Sequence, residues 1–255
     1  MVDSKEIPWV LQKYVQRPLL IGSRKFDIRM YGLLMQEPQA GPFHAYFFND
    51  GYVRTASEPF SIDNLDRRLH ITNDQVQRLN SEYGKYEEGN KMSISDFRAF
   101  LTRGQPGPGA YSQIFSQMKA IWVDVSRAAK DHLNPRNIDH CFELYGLDFM
   151  VDEDCRVWLL EVNTDPSLEV HSQHQAELIP AVVEGTLRLT VDRIFSGGSV
   201  DRQPGTLPGG SKHWQHAWSS ADDDGRMANG EEVRVACTWV EQLSESEAAS
   251  FIGCH

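Results

Sequence analysis

The segment Cys141–Glu169, CFELYGLDFMVDEDCRVWLLEVNTDPSLE, decides the fold of this chain because it predicts two adjacent strands. Tyr145–Val151 and Arg156–Val162 are apolar runs rich in β-branched and aromatic residues. The acidic turn Asp152–Asp154 separates them. Two such runs around a short polar turn are typical of an antiparallel hairpin, so the rest of the domain is expected to pack around this pair of strands.

The predicted register brings acidic and amide side chains together on one face of this hairpin. Side chains alternate along a strand, so Glu161 and Asn163 share one face. The other face is predicted to carry Trp158, Leu160 and Val162. If the chain turns at Glu153-Asp154, Asp148 lies opposite Leu159 and on the face of Glu161. A shift of one residue would move Asp148 to the wrong face, so the prediction can be tested.

Asp148, Glu161 and Asn163 are candidate metal ligands. Carboxylate and amide oxygens are hard ligands that suit a partly hydrated Mg²⁺ carrying a nucleotide phosphate. A solvated hairpin without any ligand is the alternative. The apolar neighbours of Glu161 favour a metal or a cationic partner, because an unpaired carboxylate is costly to bury there.

Composition predicts a globular chain outside the membrane that does not bind nucleic acid. Of its 255 residues, 40% are hydrophobic, which is enough for a core. No apolar run approaches the roughly 18 residues of a membrane span. The four cysteines form no CxxC pair, which argues against a structural zinc site and for a reducing cytosol. A net charge of −11 is the opposite of the basic bias of nucleic-acid-binding proteins.

The chain divides into a body, residues 1–195, and a tail, residues 196–255. The tail is rich in Gly, Pro, Ser and Asp, and such a composition cannot bury enough apolar surface to fold alone. We therefore predict a low-complexity, disordered tail. The body is predicted to contain helices at Ser93–Leu101, with Ser93 as N-cap, and at Tyr111–Ala129 and Gln173–Phe195.

Strands dominate the first 60 residues. They are predicted at Trp9–Tyr14, Phe26–Leu34, Phe43–Phe48 and Tyr52–Ala56, with a hairpin turn at Asn49-Asp50-Gly51. Alternation then places Lys25, Asp27 and Arg29 on one face of the second strand. Two cations beside a carboxylate suit a phosphate or an acidic peptide, although an ordinary solvated sheet face is the alternative.

Six segments in this order resemble the tubulin–tyrosine ligase and ligase-like family. They are QKYV (Gln12–Val15), RPLLIGSRKFDIR (Arg17–Arg29), GYVRTASEPF (Gly51–Phe60), HITN (His70–Asn73), YGKYEEGN (Tyr83–Asn90) and YGLDFMVDE…VWLLEVN (Tyr145–Asn163). The resemblance runs from Trp9 to about Phe195. KYEEGN and RTASEP look closer to the tyrosine ligase itself, whereas EVNTDPSLE is similar to the ending of polyglutamylating and glycylating relatives, so the subclass stays open.

The resemblance implies an ATP-grasp fold of the α+β class, in which two lobes close on ATP. This chain would supply the C-terminal part, an antiparallel sheet with packed helices. Only eleven residues precede Gln12 and they hold no Gly-rich phosphate loop. We therefore expect the N-terminal lobe to be missing and the isolated chain to have weak or no ligase activity.

The resemblance also implies a role for each candidate site residue. The hinge strand that contacts adenine would be formed by Gln12, Lys13, Tyr14 and Val15. Lys25 and Asp27 would lie near the nucleotide. Arg29 and Arg54 would be catalytic, and Arg29 would also hold the acidic peptide. The pocket for amino acid and phosphate would be lined by His70, Thr72 and Asn73. Mg²⁺ would be bound by Asp148, Glu161 and Asn163.

The implied reaction is ATP-dependent amide bond formation between a free amino acid and a carboxylate of the tubulin C-terminal tail. The γ-phosphate passes to the carboxylate, and the amine of tyrosine, glutamate or glycine attacks the resulting acyl phosphate. ATP and Mg²⁺ are the implied cofactors, and tubulin is the implied partner. The expected location is the cytoplasm, with the cytoskeleton or a cilium as candidate sites. A non-catalytic or fragmentary module that binds tubulin or microtubules is the alternative.

Overall fold

The computed structural model describes residues 12–104, 106–195 and 213–222. Its centre is a six-stranded antiparallel sheet in the order β3-β2-β1-β4-β5, with β6 paired to β2 beside β3. The strands are β1 (Arg24–Gln36), β2 (Phe43–Pro59), β3 (Lys91–Ser93), β4 (Phe142–Val151), β5 (Val157–Asn163) and β6 (Trp214–Ser219).

Helices pack on both faces of the sheet, as expected for the α+β class. They are α1 (Arg67–His70), α2 (Asp74–Gln77), α3 (Ile94–Arg103), α4 (Ala110–Ala129), α5 (Gln173–Leu189) and α6 (Val191–Phe195). The predictions of α3 and α4 are confirmed to within a few residues at each end, whereas the helix predicted over Gln173–Phe195 is divided at Thr190 into α5 and α6. Ser93 caps α3 as predicted, because its side chain accepts a hydrogen bond of 3.1 Å from the backbone amide of Asp96.

Alternation along β1 builds two cores. Phe26, Ile28 and Met30 face the larger core, under α3 and α4. Tyr31 and Leu33 face a smaller core under α5. Nearer the start of β1, the positions on the α5 side are Lys25, Asp27 and Arg29, so one face of the same strand is charged at one end and apolar at the other.

The predicted hairpin at Asn49-Asp50-Gly51 is wrong. β2 runs without interruption through these residues, and β1 pairs with it on both sides of them. Met30 pairs with Gly51 and Gly32 with Phe47, so β2 carries two extra residues at this point, which form a bulge. A β-carbon on Gly51 would lie 2.3 Å from the Arg29 carbonyl oxygen, so the bulge requires glycine.

The predicted disordered tail is wrong at residues 213–222. Trp214–Ser219 forms β6 on the edge of β2, and Trp214 is completely buried. The remaining residues of the predicted tail lie outside the described part of the chain. Within the residues that the structure describes, no helix has both the length and the apolar character needed to cross a bilayer.

Candidate functional site

A cleft of about 440 Å³ opens beside the charged end of β1. Most of the residues predicted for the site line it, namely Gln12, Lys13, Tyr14, Val15, Lys25, Asp27, Arg54, His70, Thr72, Asn73, Asp148 and Glu161. Arg29 and Asn163 lie next to the cleft without lining it. Their side chains instead contact Asp148, which does line it. The sequence therefore identified one connected region of the molecule.

The segment Gln12–Val15 is not the strand that was predicted. It runs in an irregular conformation along the cleft, and the Gln12 side chain donates a hydrogen bond of 3.0 Å to the Leu160 carbonyl oxygen. The earlier part of that predicted strand, residues 9–11, lies outside the described residues. The segment is nevertheless held against β5 at the edge of the cleft.

Four charged residues form a continuous network at the base of the cleft. Antiparallel pairing places Asp27 opposite Arg54 and Arg29 opposite Asp148. Arg54 donates a hydrogen bond of 2.8 Å to Asp27 and one of 2.7 Å to Asp148. Arg29 forms a two-pronged pair with Asp148, with a distance of 2.9 Å from Nη2 to Oδ2. All four side chains are buried, so each charge depends on its neighbours for compensation.

These cations keep Asp148 ionised despite its burial. Burial alone would raise the pKa of Asp148, but the hydrogen bond from Arg29 and the charges of Arg54 and Arg29 outweigh it and lower the pKa to about 2. The pKa of Glu161 moves the other way. Partial burial of its carboxyl group and the hydrogen bond with Asp148 raise it. The two carboxyl groups thus sit side by side with their proton affinities pushed apart, as expected of acidic groups that share a small space.

A bulge in β5 brings the two carboxylates together. Asp148 pairs with Glu161, whereas Phe149 pairs with Leu159, so Leu160 is an extra residue. The predicted pairing of Asp148 with Leu159 is wrong, although Asp148 and Glu161 do share a face. The bulge reverses the alternation, because Leu159 and Val162 both pack towards the α4 core.

Glu161 differs from its predicted setting in one further respect. The apolar residues around it in the sequence suggested a buried carboxylate, but Glu161 is exposed. The bulge is the reason, since Leu159 and Val162 turn towards the core while Glu161 turns to the cleft. The carboxylates that are buried at this site are Asp27 and Asp148.

The donor set at this position suits a hard divalent cation with open coordination sites. Asp148 and Glu161 are adjacent, and the Asn163 amide donates a hydrogen bond of 3.1 Å to Glu161 and lies 3.4 Å from Asp148. The amide would have to rotate to present its oxygen to a cation. Within the described ranges there is no cluster of three or more His, Cys, Asp or Glu side chains arranged for a metal. Two carboxylates and an amide would fill only part of the coordination sphere of a cation. Mg²⁺ usually keeps water or phosphate ligands at its remaining positions.

A second chain of hydrogen bonds crosses the opposite wall of the cleft. Lys25 donates a hydrogen bond of 3.0 Å to the Tyr14 hydroxyl, which lies 2.6 Å from Nδ1 of His70. Nε2 of His70 lies 2.5 Å from the Asn64 carbonyl oxygen. A carbonyl can only accept, so Nε2 carries the proton and Nδ1 accepts from Tyr14. Burial lowers the pKa of Lys25 to about 8 despite the nearby charge of Asp27.

Three apolar residues of the cleft were missed, namely Ile71, Met150 and Leu160. Met150 could have been found, because it lies two positions after Asp148 on the same strand face. Ile71 lies inside the HITN segment, between His70 and Thr72, which were both predicted for the site. Leu160 carries no signal, because its position in the cleft depends on the β5 bulge.

The site combines buried cations, two adjacent carboxylates and a partly apolar wall. The chain matches the model of the tubulin-tyrosine ligase family over residues 2–197, and it belongs to that family. The resemblance in the sequence motifs is thereby confirmed.

Curated proteins that are similar to this chain are named as a polyglutamylase and as monoglycylases. The chain is 35% identical over 223 residues to the probable tubulin polyglutamylase TTLL9 of Bos taurus, covering 80% of this chain and 47% of that protein. It is 34% identical over 212 residues to the protein monoglycylase TTLL8 of Homo sapiens, covering 80% and 24%. It is 34% identical over 197 residues to the tubulin monoglycylase TTLL3 of Mus musculus, covering 76% and 20%. The chain thus spans less than half the length of these relatives.

Proposed function

We propose that this chain carries the site of an ATP- and Mg²⁺-dependent ligase that joins an amino acid to a carboxylate of the tubulin C-terminal tail through an acyl phosphate. The observation that carries the proposal is the buried network of Asp27, Arg54, Asp148 and Arg29 beside Glu161. Fixed cations in a cleft stabilise the negative charge that develops when a phosphoryl group is transferred and an acyl centre is attacked.

The proposed roles follow the chemistry of each side chain. Asp148, Glu161 and Asn163 hold Mg²⁺, which supplies charge neutralisation to the phosphates when bound. Arg54 faces the transferred phosphoryl group. Arg29, which does not line the cleft, acts on the acceptor carboxylate through its pair with Asp148. The attacking amine belongs to the amino acid substrate, so these residues act by positioning and electrostatics.

The remaining cleft residues are proposed to bind the other parts of the substrates. Gln12, Lys13, Tyr14 and Val15 contact the adenine. Lys25 and Asp27 lie near the phosphates and ribose. The amino acid and a phosphate are contacted by His70, Thr72 and Asn73. The relatives named above are a polyglutamylase and monoglycylases, which favours glutamate or glycine over tyrosine as the added amino acid.

A non-catalytic module that binds tubulin is the second candidate. The observation that favours it is that both carboxylate oxygens of Asp148 already accept hydrogen bonds from Arg29 and Arg54. A carboxylate engaged in this way can serve the fold alone. The two candidates differ in whether the chain needs a metal to bind nucleotide.

Replacement of Glu161 by glutamine is expected to weaken Mg²⁺-dependent ATP binding at least about tenfold, the loss seen when even an outer-shell partner of a metal is removed. The measurement is isothermal calorimetry of the purified chain with ATP, with and without Mg²⁺. Glu143→Gln is the matched control, because Glu143 is an exposed glutamate of β4 that does not line the cleft. Equal metal-dependent binding by Glu161→Gln and by the unaltered chain would exclude Glu161 as a ligand.

If the folded chain binds no ATP under any condition, the non-catalytic candidate is favoured. If it binds ATP, incubation with a tubulin tail peptide and labelled glutamate, glycine or tyrosine identifies the amino acid. Incorporation of one label and not the others settles the subclass.

ATP affinity is also expected to fall about tenfold between roughly pH 7 and pH 9, because Lys25 loses its proton as the pH rises through its pKa of about 8. Calorimetry across this range measures the effect, and Lys25→Gln should abolish most of it. The effect of Lys25 on the stability of the fold changes with pH in the opposite direction. Folding favours the neutral amine, so Lys25 destabilises the fold below about pH 8, and this penalty disappears as the pH approaches the ordinary lysine pKa of 10.5. A flat affinity profile would remove Lys25 from the binding site.

A further inference from the structure

The loop His70–Asn73, which runs from the last residue of α1 to the N-cap of α2, forms one wall of the cleft, yet these helices are too short to hold it rigidly. All four of its residues line the cleft. The helix before it, α1, and the helix after it, α2, contain four residues each. Single helical turns have little stability of their own in water. The position of this wall must therefore be set by contacts made from outside the loop.

Gln77 supplies such contacts through a completely buried side-chain amide. Its Oε1 accepts a hydrogen bond of 2.8 Å from the backbone amide of Ser57 in β2. Its Nε2 donates one hydrogen bond of 2.8 Å to the Arg68 carbonyl oxygen and another of 2.6 Å to the Ile71 carbonyl oxygen. One side chain thus joins the sheet, α1 and the loop.

A direct path leads from this amide to the charged network. Ile71 precedes Thr72, whose hydroxyl donates a hydrogen bond to Asp27. Asp27 in turn accepts from Arg54. The backbone that Gln77 fixes through Ile71 is therefore the backbone that presents Thr72 to the acidic and basic residues of the site.

We propose that Gln77 is a positioning residue, which acts through the loop His70–Asn73 and sets the distance of that loop from Asp27 and Arg54. It touches no ligand itself, because it is buried and does not line the cleft. Its consequence for nucleotide affinity rests on the proposed function, whereas its control of the loop does not. A chain that has lost this amide keeps its sheet and its charged network but has a loosened cleft wall.

The test is Gln77→Met, which preserves the length of the side chain and removes its three hydrogen bonds. Gln175→Met is the matched control. Gln175 is also a buried glutamine and accepts a hydrogen bond of 3.0 Å from the backbone amide of His171, in a loop that does not line the cleft. Hydrogen exchange followed by mass spectrometry reports on both loops, and calorimetry with ATP and Mg²⁺ reports on the cleft.

In Gln77→Met we expect exchange in residues 70–73 to rise about tenfold, as for the loss of the one hydrogen bond that reaches this loop, at the Ile71 carbonyl oxygen, with β1 and β4 unchanged. ATP affinity should fall by a similar factor. Gln175→Met should leave both quantities at their original values. Wild-type exchange in the 70–73 loop of Gln77→Met would overturn the proposal, as would a rise of equal size across the whole sheet.

A second variant keeps the proposal testable if Gln77→Met does not fold. Gln77→Glu retains an acceptor for Ser57 but, when ionised, presents a carboxylate to the Arg68 and Ile71 carbonyl oxygens. Exchange in the loop, corrected for its intrinsic pH dependence, should then rise with pH as this carboxyl group ionises. A corrected rate independent of pH would contradict the proposal. Failure of the unaltered chain to bind ATP would refute the proposed function alone, since the exchange results do not depend on ligand.

Discussion

Replacement of Arg54 by leucine is expected to lower the free energy of unfolding by about 3–5 kcal/mol, because it leaves buried carboxylates without their shared cation. Arg54 donates to both Asp27 and Asp148, and all three side chains are buried. Arg29 still compensates the charge of Asp148, so the charge left without a cationic partner is mainly that of Asp27. Chemical denaturation of the purified chain at neutral pH measures the effect.

The matched control for this variant is Arg188→Leu. Arg188 pairs with Glu184 on the surface of α5, and removal of an exposed pair of this kind is expected to cost no more than about 0.5 kcal/mol. The double variant Arg54→Leu/Asp27→Asn should recover part of the loss, since it removes the charge that was left unpaired. A loss as small as the control would show that the buried network does not stabilise the fold.

Acid should reduce the difference between Arg54→Leu and the unaltered chain. The pKa of Asp148 is lowered to about 2 by its hydrogen bond with Arg29 and by the charges of Arg54 and Arg29, which outweigh the effect of burial. A lowered carboxyl pKa contributes stability above the unfolded value of 3.8, and this contribution is lost as the pH falls through about 2. The part of it that Arg54 supplies is already absent from the variant. Denaturation repeated at low pH should therefore give closer values for the two proteins.

Replacement of Trp214 by alanine is expected to cost about 3–5 kcal/mol, the range for truncation of a large buried aromatic residue. Trp214 is completely buried and meets Phe48 edge to face at a centroid distance of 4.9 Å. It also packs against Gly185 of α5, where a β-carbon would lie 2.6 Å from the indole Cδ1. The indole nitrogen has no hydrogen-bond partner among the described residues, so packing is the main quantity lost.

Chemical denaturation measures this second loss as well. Phe142→Ala is the control, because Phe142 is an aromatic residue of β4 with 40% of its surface exposed, and we expect a change near 0.5 kcal/mol. Trp214→Phe should fall between the two, since a smaller ring still fills part of the space against Phe48. Equal stabilities for Trp214→Ala and the control would mean that β6 is dispensable to the core.

The sequence predicted the parts of this fold that depend on local periodicity. Apolar stripes located α4 and α5, and a serine three residues before an acidic residue located the start of α3. Alternation correctly assigned Phe26 and Ile28 to the core and placed Lys25, Asp27 and Arg29 on the opposite face. These signals are local because the side-chain period of a helix or strand is set by the backbone alone.

Features that depend on a distant partner were not predictable in this way. The Asn-Asp-Gly sequence at residues 49–51 is a strong hairpin signal. It forms a bulge instead, because β1 is long enough to pair with β2 on both sides of it. The extra residue Leu160 is invisible in the sequence and changes the register of β5. β6 lies in a polar segment of the sequence. It forms because β2 provides backbone hydrogen bonds along its edge and Gly185 of α5 leaves space for Trp214.

The candidate site was predictable as a set of residues but not as a set of contacts. Family motifs pointed to the positions that line the cleft. They did not reveal that Asp148 accepts from both Arg29 and Arg54, because that arrangement follows from the register of three strands. The role of Gln77 could not be predicted for the same reason, since its three hydrogen bonds reach backbone atoms in separate segments.

The position of β6 has a practical consequence for anyone who produces this protein. The match to the family model ends at residue 197, and β6 begins at Trp214. A recombinant domain cut at the end of the match would leave His44–Phe48 of β2 without their partner strand on one edge and would uncover the surface around Gly185. An open strand edge beside apolar surface promotes aggregation. The shortest soluble unit to express should therefore extend through at least Asp222.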